Sequence, residues 1–152
     1  MAPLVAELER AGFCDVATIA QTGNVLVTTE LAAPAAARAV EAAVLASSGT
    51  TTVAMSVTAA DLQRVLDAES LSDEDDPSRV LAVVLDRDPP ADADLGRLDP
   101  GRTELVGRIL VQRCPDGVSK APSAVAFVER HWGLRATARN LRMIRRIAAG
   151  LG

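Results

Sequence analysis

The stretch "RVLAVVLD", Arg79 to Asp86, decides how the rest of the chain is read. Val80 to Leu85 are apolar without a polar interruption. A strand with one face in water alternates apolar and polar side chains, so an unbroken run predicts a central strand covered on both faces. Its neighbours must then supply further strands at its edges and helices over its faces.

Downstream, "TELVGRILVQR" (103–113) predicts a hairpin turning at Gly107-Arg108, where glycine admits the backbone angles of a two-residue loop. Between the run and this hairpin, "DPPADADLGRLDPG" (88–101) reads as a short helix between loops. "PDGVSK" (115–120) is a turn, "APSAVAFVERHWG" (121–133) a helix stopped by Gly133, and Asn140 to Ala149 a last helix. Upstream, the acidic "SLSDEDDPS" (70–78) reads as a solvated connector. Thr58-Ala-Ala-Asp61 has the form of a capping box, with Asp for the usual Glu, opening a helix to about Ala68. The β-branched "TTVAMSV" (51–57) predicts a strand, and an Ala-rich helix runs from Pro34 to about Ala46. Before that helix, "DVATIA" (15–20) and Asn24 to Thr29 form a hairpin through Thr22-Gly23-Asn24. A helix over 2–11, with Leu4, Val5 and Leu8 on one face, comes first.

This order predicts an α+β fold of two ferredoxin-like βαββαβ halves packed into one compact unit. The first half (1–57) lacks its opening strand, and the second (58–152) carries an extra C-terminal helix.

Composition narrows the function classes. Apolar residues make up 49% of the 152, but Phe13, Phe127 and Trp132 are the only aromatics, so aliphatic side chains must fill the core. A net charge of −4 argues against a dedicated duplex-DNA binder. The charge is uneven, however. Up to Ser119 there are 9 Lys/Arg against 19 Asp/Glu, whereas from Lys120 onward 7 Lys/Arg face only Glu129. Such asymmetry can mark contact with an anion, nucleic acid or an acidic partner. Cys14 and Cys114 fit neither a disulfide framework nor a metal-ligand spacing. The N-terminus turns polar too soon for a signal peptide, and no apolar run reaches membrane-spanning length. The expectation is a soluble cytoplasmic protein with no membrane partner, metal or cofactor.

Two segments, "LERAGFCDVATIAQTGNVLV" (8–27) and "CPDGVSKAPSAVAFVERHWGLRATARN" (114–140), together resemble the uncharacterised bacterial family known as domain of unknown function 1697 (DUF1697). The first is similar to that family's helix, Gly-Phe exit and Gln-Ser-Gly-Asn-Val hairpin, with Thr22 in the place of Ser. The second is similar to its Pro-Asp/Asn-Gly turn, Ser-Lys helix start and Thr-x-Arg-Asn segment, on Pro115, Gly117, Ser119, Lys120, Thr137, Arg139 and Asn140. Members usually open with a strand and a Gly-rich loop, whereas this chain opens in the first helix. That leaves three alternatives: a start further upstream, a strand lent by a partner, or a remodelled half. The family's Arg-Asn is generally followed by Trp-Asn-Thr, here Leu141-Arg142-Met143. The resemblance implies a fold more than a chemistry.

Several constellations bear on chemistry. His131 is the sole histidine, without a Gly-x-Ser-x-Gly elbow, and its simplest place is a helix C-terminus. Asp73 to Asp76 lack the ligand spacing of a calcium loop. Gly117, Ser119 and Lys120 at a helix opening could hold an anion, or form an ordinary turn with Ser119 as N-cap. In the last helix Arg139, Arg142 and Arg146 share one face, while Leu141, Ile144, Ala148 and Leu151 share another that docks on the body. Base stacking on the sheet is disfavoured because the predicted strands hold no aromatic residue, so sequence-specific nucleic-acid recognition is not expected. The favoured expectation is a binding module for a small anionic ligand or acidic partner through Ser119, Lys120, Arg139, Asn140, Arg142 and Arg146. The alternatives are a phosphoryl- or acyl-transfer enzyme with Ser119, Lys120 and Arg139 at the same anion, and a structural subunit, such as a homodimer, completed by a partner strand.

Overall fold

A computed structural model describes residues 2–20, 23–68, 76–96, 98 and 102–151. The chain divides into two compact units, one ending at Ser56 and one spanning Val57–Gly150.

The first unit comprises α1 (Ala2–Arg10), β1 (Cys14–Ile19), β2 (Asn24–Thr28) and α2 (Ala33–Ser48). Leu8 of α1 and Phe13 are buried against Ala36 and Ala43 of α2, with Leu4, Val16, Val25 and Val27 packed around them. β1 and β2 are antiparallel, and between the pairs Cys14–Thr28 and Ala17–Leu26 two residues of β1, Asp15 and Val16, oppose one of β2, Val27. Asp15, at φ +51°, absorbs the extra residue as a bulge. Thr22 of the predicted turn lies outside the described residues.

The strand predicted at 51–57 is not one: this segment joins no ladder, and the unit's sheet holds only β1 and β2 among the described residues. Strand propensity expresses fit to a half-buried pleated surface, and here no neighbouring strand supplies it. The Ala54 N–H instead donates to the carboxylate of Glu41 on α2 at 3.0 Å. Val53 is left largely exposed.

The second unit contains α3 (Ala59–Leu66), β3 (Val80–Leu85), β4 (Thr103–Val106), β5 (Ile109–Arg113), α4 (Ala124–Phe127), β6 (Ala136–Asn140) and α5 (Leu141–Leu151). Four strands pair in the order β4-β5-β3-β6, each antiparallel to its neighbour. The apolar run is thus a central strand, paired on both sides and buried at every position but Leu81. Alternate residues face opposite sides of a strand. Val83 and Leu85 join Leu110, Leu98, Phe127, Val128 and Leu134 in one buried cluster. α3, with Leu62 and Val65 buried, packs against β5. Its start is the predicted capping box: Thr58 Oγ1 accepts from the Asp61 N–H, and the Asp61 carboxylate accepts from the Thr58 N–H. The hairpin turns where predicted, with Gly107 at φ +60° in the first of two loop positions.

Three predicted elements change. Residues 88–96 form turns rather than a helix, because Pro89 and Pro90 lack N–H groups and Asp94 takes the Gly96 N–H onto its own carboxylate at 2.7 Å. The helix expected over 121–133 starts only at Ala124, where Ser123 Oγ accepts from the Ala126 N–H, and passes into a π turn over Val128–Trp132 before Gly133 ends it. Residues 136–140, expected to lead into the last helix, form the edge strand β6. No described helix is long and apolar enough to cross a membrane.

Candidate functional site: a basic end of the four-stranded sheet

At one end of the sheet β5 runs out through Arg113 into the turn Cys114-Pro115-Asp116-Gly117. Arg79, just before β3, fastens this turn twice: its carbonyl accepts the Cys114 N–H, and its guanidinium donates to the Pro115 carbonyl, both at 2.7 Å. The Gly117 N–H closes the turn on the Cys114 carbonyl at 2.9 Å. Gly117 holds φ +98° and ψ 150°, a region open essentially to glycine alone. On the other side the Arg113 N–H donates to the Arg102 carbonyl at 2.8 Å, which seats two arginines on adjacent strand ends.

Between these segments lies a cleft of about 80 Å³ lined by Arg102, Arg113, Lys120, Asp116, Gln112 and Cys114, among others. Among the described residues, its charged lining comprises three cationic side chains and one carboxylate. Gln112 is 3% exposed, its amide nitrogen donates to the Pro122 carbonyl at 2.9 Å, and its Oε1 has no hydrogen-bond partner among the described residues. The Pro122 carbonyl can only accept, so the amide cannot be turned round to relieve this. A buried acceptor left unmet costs about 1–3 kcal/mol. Burial pushes the Cys114 thiol up, which keeps it neutral and adds no negative charge to the cleft.

The structure separates the residues that the sequence grouped. Lys120 lines the cleft, on the short 3₁₀ turn Val118–Lys120. Ser119 is exposed on that turn and does not line the cleft, and the capping role expected of it belongs to Ser123. Arg139 is on β6, not on the last helix, and its guanidinium donates to Thr137 Oγ1 and to the Ala138 carbonyl, both at 2.9 Å. Asn140 ends β6, and its Oδ1 accepts the Met143 N–H at 2.9 Å as the cap of α5. The three-arginine helical face is therefore reduced to Arg142 and Arg146, both exposed on α5. Leu141 and Ile144 of the expected apolar stripe are buried.

Arg142 also lies near Asp76. Hydrogen bonds from the Ser78 N–H and hydroxyl, aided by Arg79 and Arg142, hold the Asp76 carboxyl below its ordinary range. Sequence inspection missed Arg79, Arg102, Arg113 and Gln112. Each sits at or near a strand end, and only the antiparallel register gathers them. Asp73, Glu74 and Asp75 lie outside the described residues, and no metal-ligating cluster occurs among those described.

No curated protein and no solved structure was found to match the chain. The family described as protein of unknown function (DUF1697) matches residues 1–111. That span takes in the Gly12-Phe13 exit, the first hairpin, β3 and most of the β4–β5 hairpin, and it stops short of the 114–140 segment. With well over half its length matched, the chain belongs to the DUF1697 family.

Proposed function

We propose that the cleft at the basic end of the sheet binds a small oxyanion that also carries a hydroxyl proton, with hydrogen phosphate the simplest member. The observation that carries this is the buried, unmet Oε1 of Gln112, a residue that lines the cleft together with Arg102, Arg113 and Lys120. Cationic side chains attract the charge, arginine through paired N–H donors and lysine as a point charge. The Gln112 carbonyl oxygen, in contrast, demands a donor from the ligand. Hydrogen phosphate meets both demands and sulfate only the first. Ser119 and Arg139, which an enzymatic role would need beside Lys120, do not line the cleft. The strand order β4-β5-β3-β6, antiparallel throughout, further supports a ferredoxin-like character for the second unit.

The test is thermal melting with inorganic phosphate and with sulfate at matched ionic strength. Phosphate at about 100 times its Kd should stabilise by about 2.7 kcal/mol, and sulfate by less. Lys120→Ala should weaken phosphate binding, and Gln112→Met should erase the preference over sulfate. Equal shifts from the two anions in the unsubstituted protein would overturn this function.

A second function rests on the sheet of the first unit, which holds only β1 and β2 among the described residues and so leaves strand edges that another strand can pair with. A strand from a second copy pairing with β2 would complete it. Light scattering should then show a dimer, and a monomer at every concentration removes this alternative.

A further inference from the structure

The opposite end of the same sheet carries a cleft of different character. It has a volume of about 270 Å³ and is lined by Phe127, His131 and Trp132 on one wall and by Pro90, Asp92 and Asp94 on the other. Two of the chain's three aromatic residues and its only histidine are gathered here.

The π turn is what gathers them. Five residues of α-helix make about 1.4 turns, which would swing Trp132 well away from Phe127. Closure from i to i+5 brings residue 132 back over residue 127. The Phe127 ring is 4.8 Å from that of His131 and 5.5 Å from that of Trp132, the latter edge-on at 76°.

The acidic wall is fastened at both ends. Asp86 donates its N–H to the Arg135 carbonyl at 2.9 Å and accepts the Arg135 N–H on its carboxylate at 3.2 Å. Arg87 donates to the carbonyl of Gly133, the residue that ends the π turn, at 3.0 Å. At the far end Leu98 is buried in the cluster that holds Phe127, with Leu95 packed against it. Arg87 and Arg135 are thus engaged at the base of the wall, and no Lys or Arg among the described residues lines the cleft. On the π turn itself the charges of Glu129 and Arg130 offset one another. The turn's own C-terminal carbonyls add partial negative charge.

Aromatic rings, two carboxylates and a helix C-terminus all favour the same ligand charge. We infer that this cleft binds a small organic cation of the ammonium or guanidinium class, held against the Trp132 and Phe127 rings with Asp92 and Asp94 as counter-charges. The site is separate from the anion cleft, which lies at the other end of β3.

Trp132 is the only tryptophan, so its fluorescence reports on the cleft directly. Titration with tetramethylammonium chloride should give a saturable change, while neutral tert-butanol of the same shape, with sodium chloride at the same ionic strength, should not. The exposed Asp92→Asn, checked for folding by circular dichroism, should raise the Kd about fivefold, as expected for one charge at contact distance in water. Trp132→Leu should abolish the binding heat seen by calorimetry. An equal response to tert-butanol, an absent response to tetramethylammonium, or an unchanged Kd in Asp92→Asn would each overturn the inference.

Discussion

Gly117 and Ala20 both adopt positive φ, at +98° and +61°, with opposite consequences for substitution. A side chain on Gly117 would meet no neighbour within 4 Å, so the penalty of Gly117→Ala is backbone strain alone, about 1–3 kcal/mol. Because that turn forms one wall of the basic cleft, the variant should also bind phosphate more weakly, which denaturant unfolding and phosphate titration together can check. At Ala20 the strain is already present and costs about 1–2 kcal/mol. Ala20→Gly should therefore gain up to about 1 kcal/mol after the added freedom of the unfolded chain is offset. The cysteines differ in the same residue-by-residue way. Cys14 is exposed and Cys114 is buried with its thiol held protonated. One thiol should react with a disulfide reagent in the native protein and a second only on unfolding.

Two caps connect side-chain chemistry to whole elements. Asn140→Ala should cost about 1 kcal/mol through loss of the α5 cap. It should leave phosphate affinity unchanged, and a fall in affinity at unchanged stability would return Asn140 to the ligand. At the start of α3, burial pushes the Asp61 carboxyl up, but hydrogen bonds from the Thr58 N–H and hydroxyl and the contact with Arg64 outweigh it. Its folded value therefore lies below the ordinary 3.8. A depressed carboxyl contributes stability that is present above 3.8 and is lost as pH falls through the lower folded value. The melting-temperature advantage of the unsubstituted chain over Asp61→Asn should persist from neutral pH to about 3.8 and shrink below it.

The two units differ in how much holds them. β3 is bonded on both edges and covered on both faces, whereas β1 and β2 have only each other among the described residues. Opening free energy follows burial and pairing. Amide exchange should therefore be slowest at Ala82, Val83 and Val84 and markedly faster along β1 and β2. Equal protection in the two sheets would contradict this ordering.

Local chemistry made much of this legible in advance. The six-residue apolar run, the Gly107 hairpin and the Thr58–Asp61 box each follow from contacts within a few residues of one another, so the sequence by itself determined β3, the β4–β5 hairpin and the start of α3. It also determined the family, through residues 1–111. Pairing was not legible, because a strand depends on what lies beside it. Residues 51–57 have strand composition but no partner strand among the described residues, whereas Ala136 to Asn140 have weak strand composition and become a strand because β3 offers an edge. The same holds for the candidate sites. Lys120 could be picked from charge asymmetry, but Arg102, Arg113 and Gln112 meet it only through the antiparallel register. The grouping of Trp132 with Phe127 likewise depends on a π turn that no periodicity announces. Tertiary structure alone decided these, since separation in sequence carries no distance until the chain has folded.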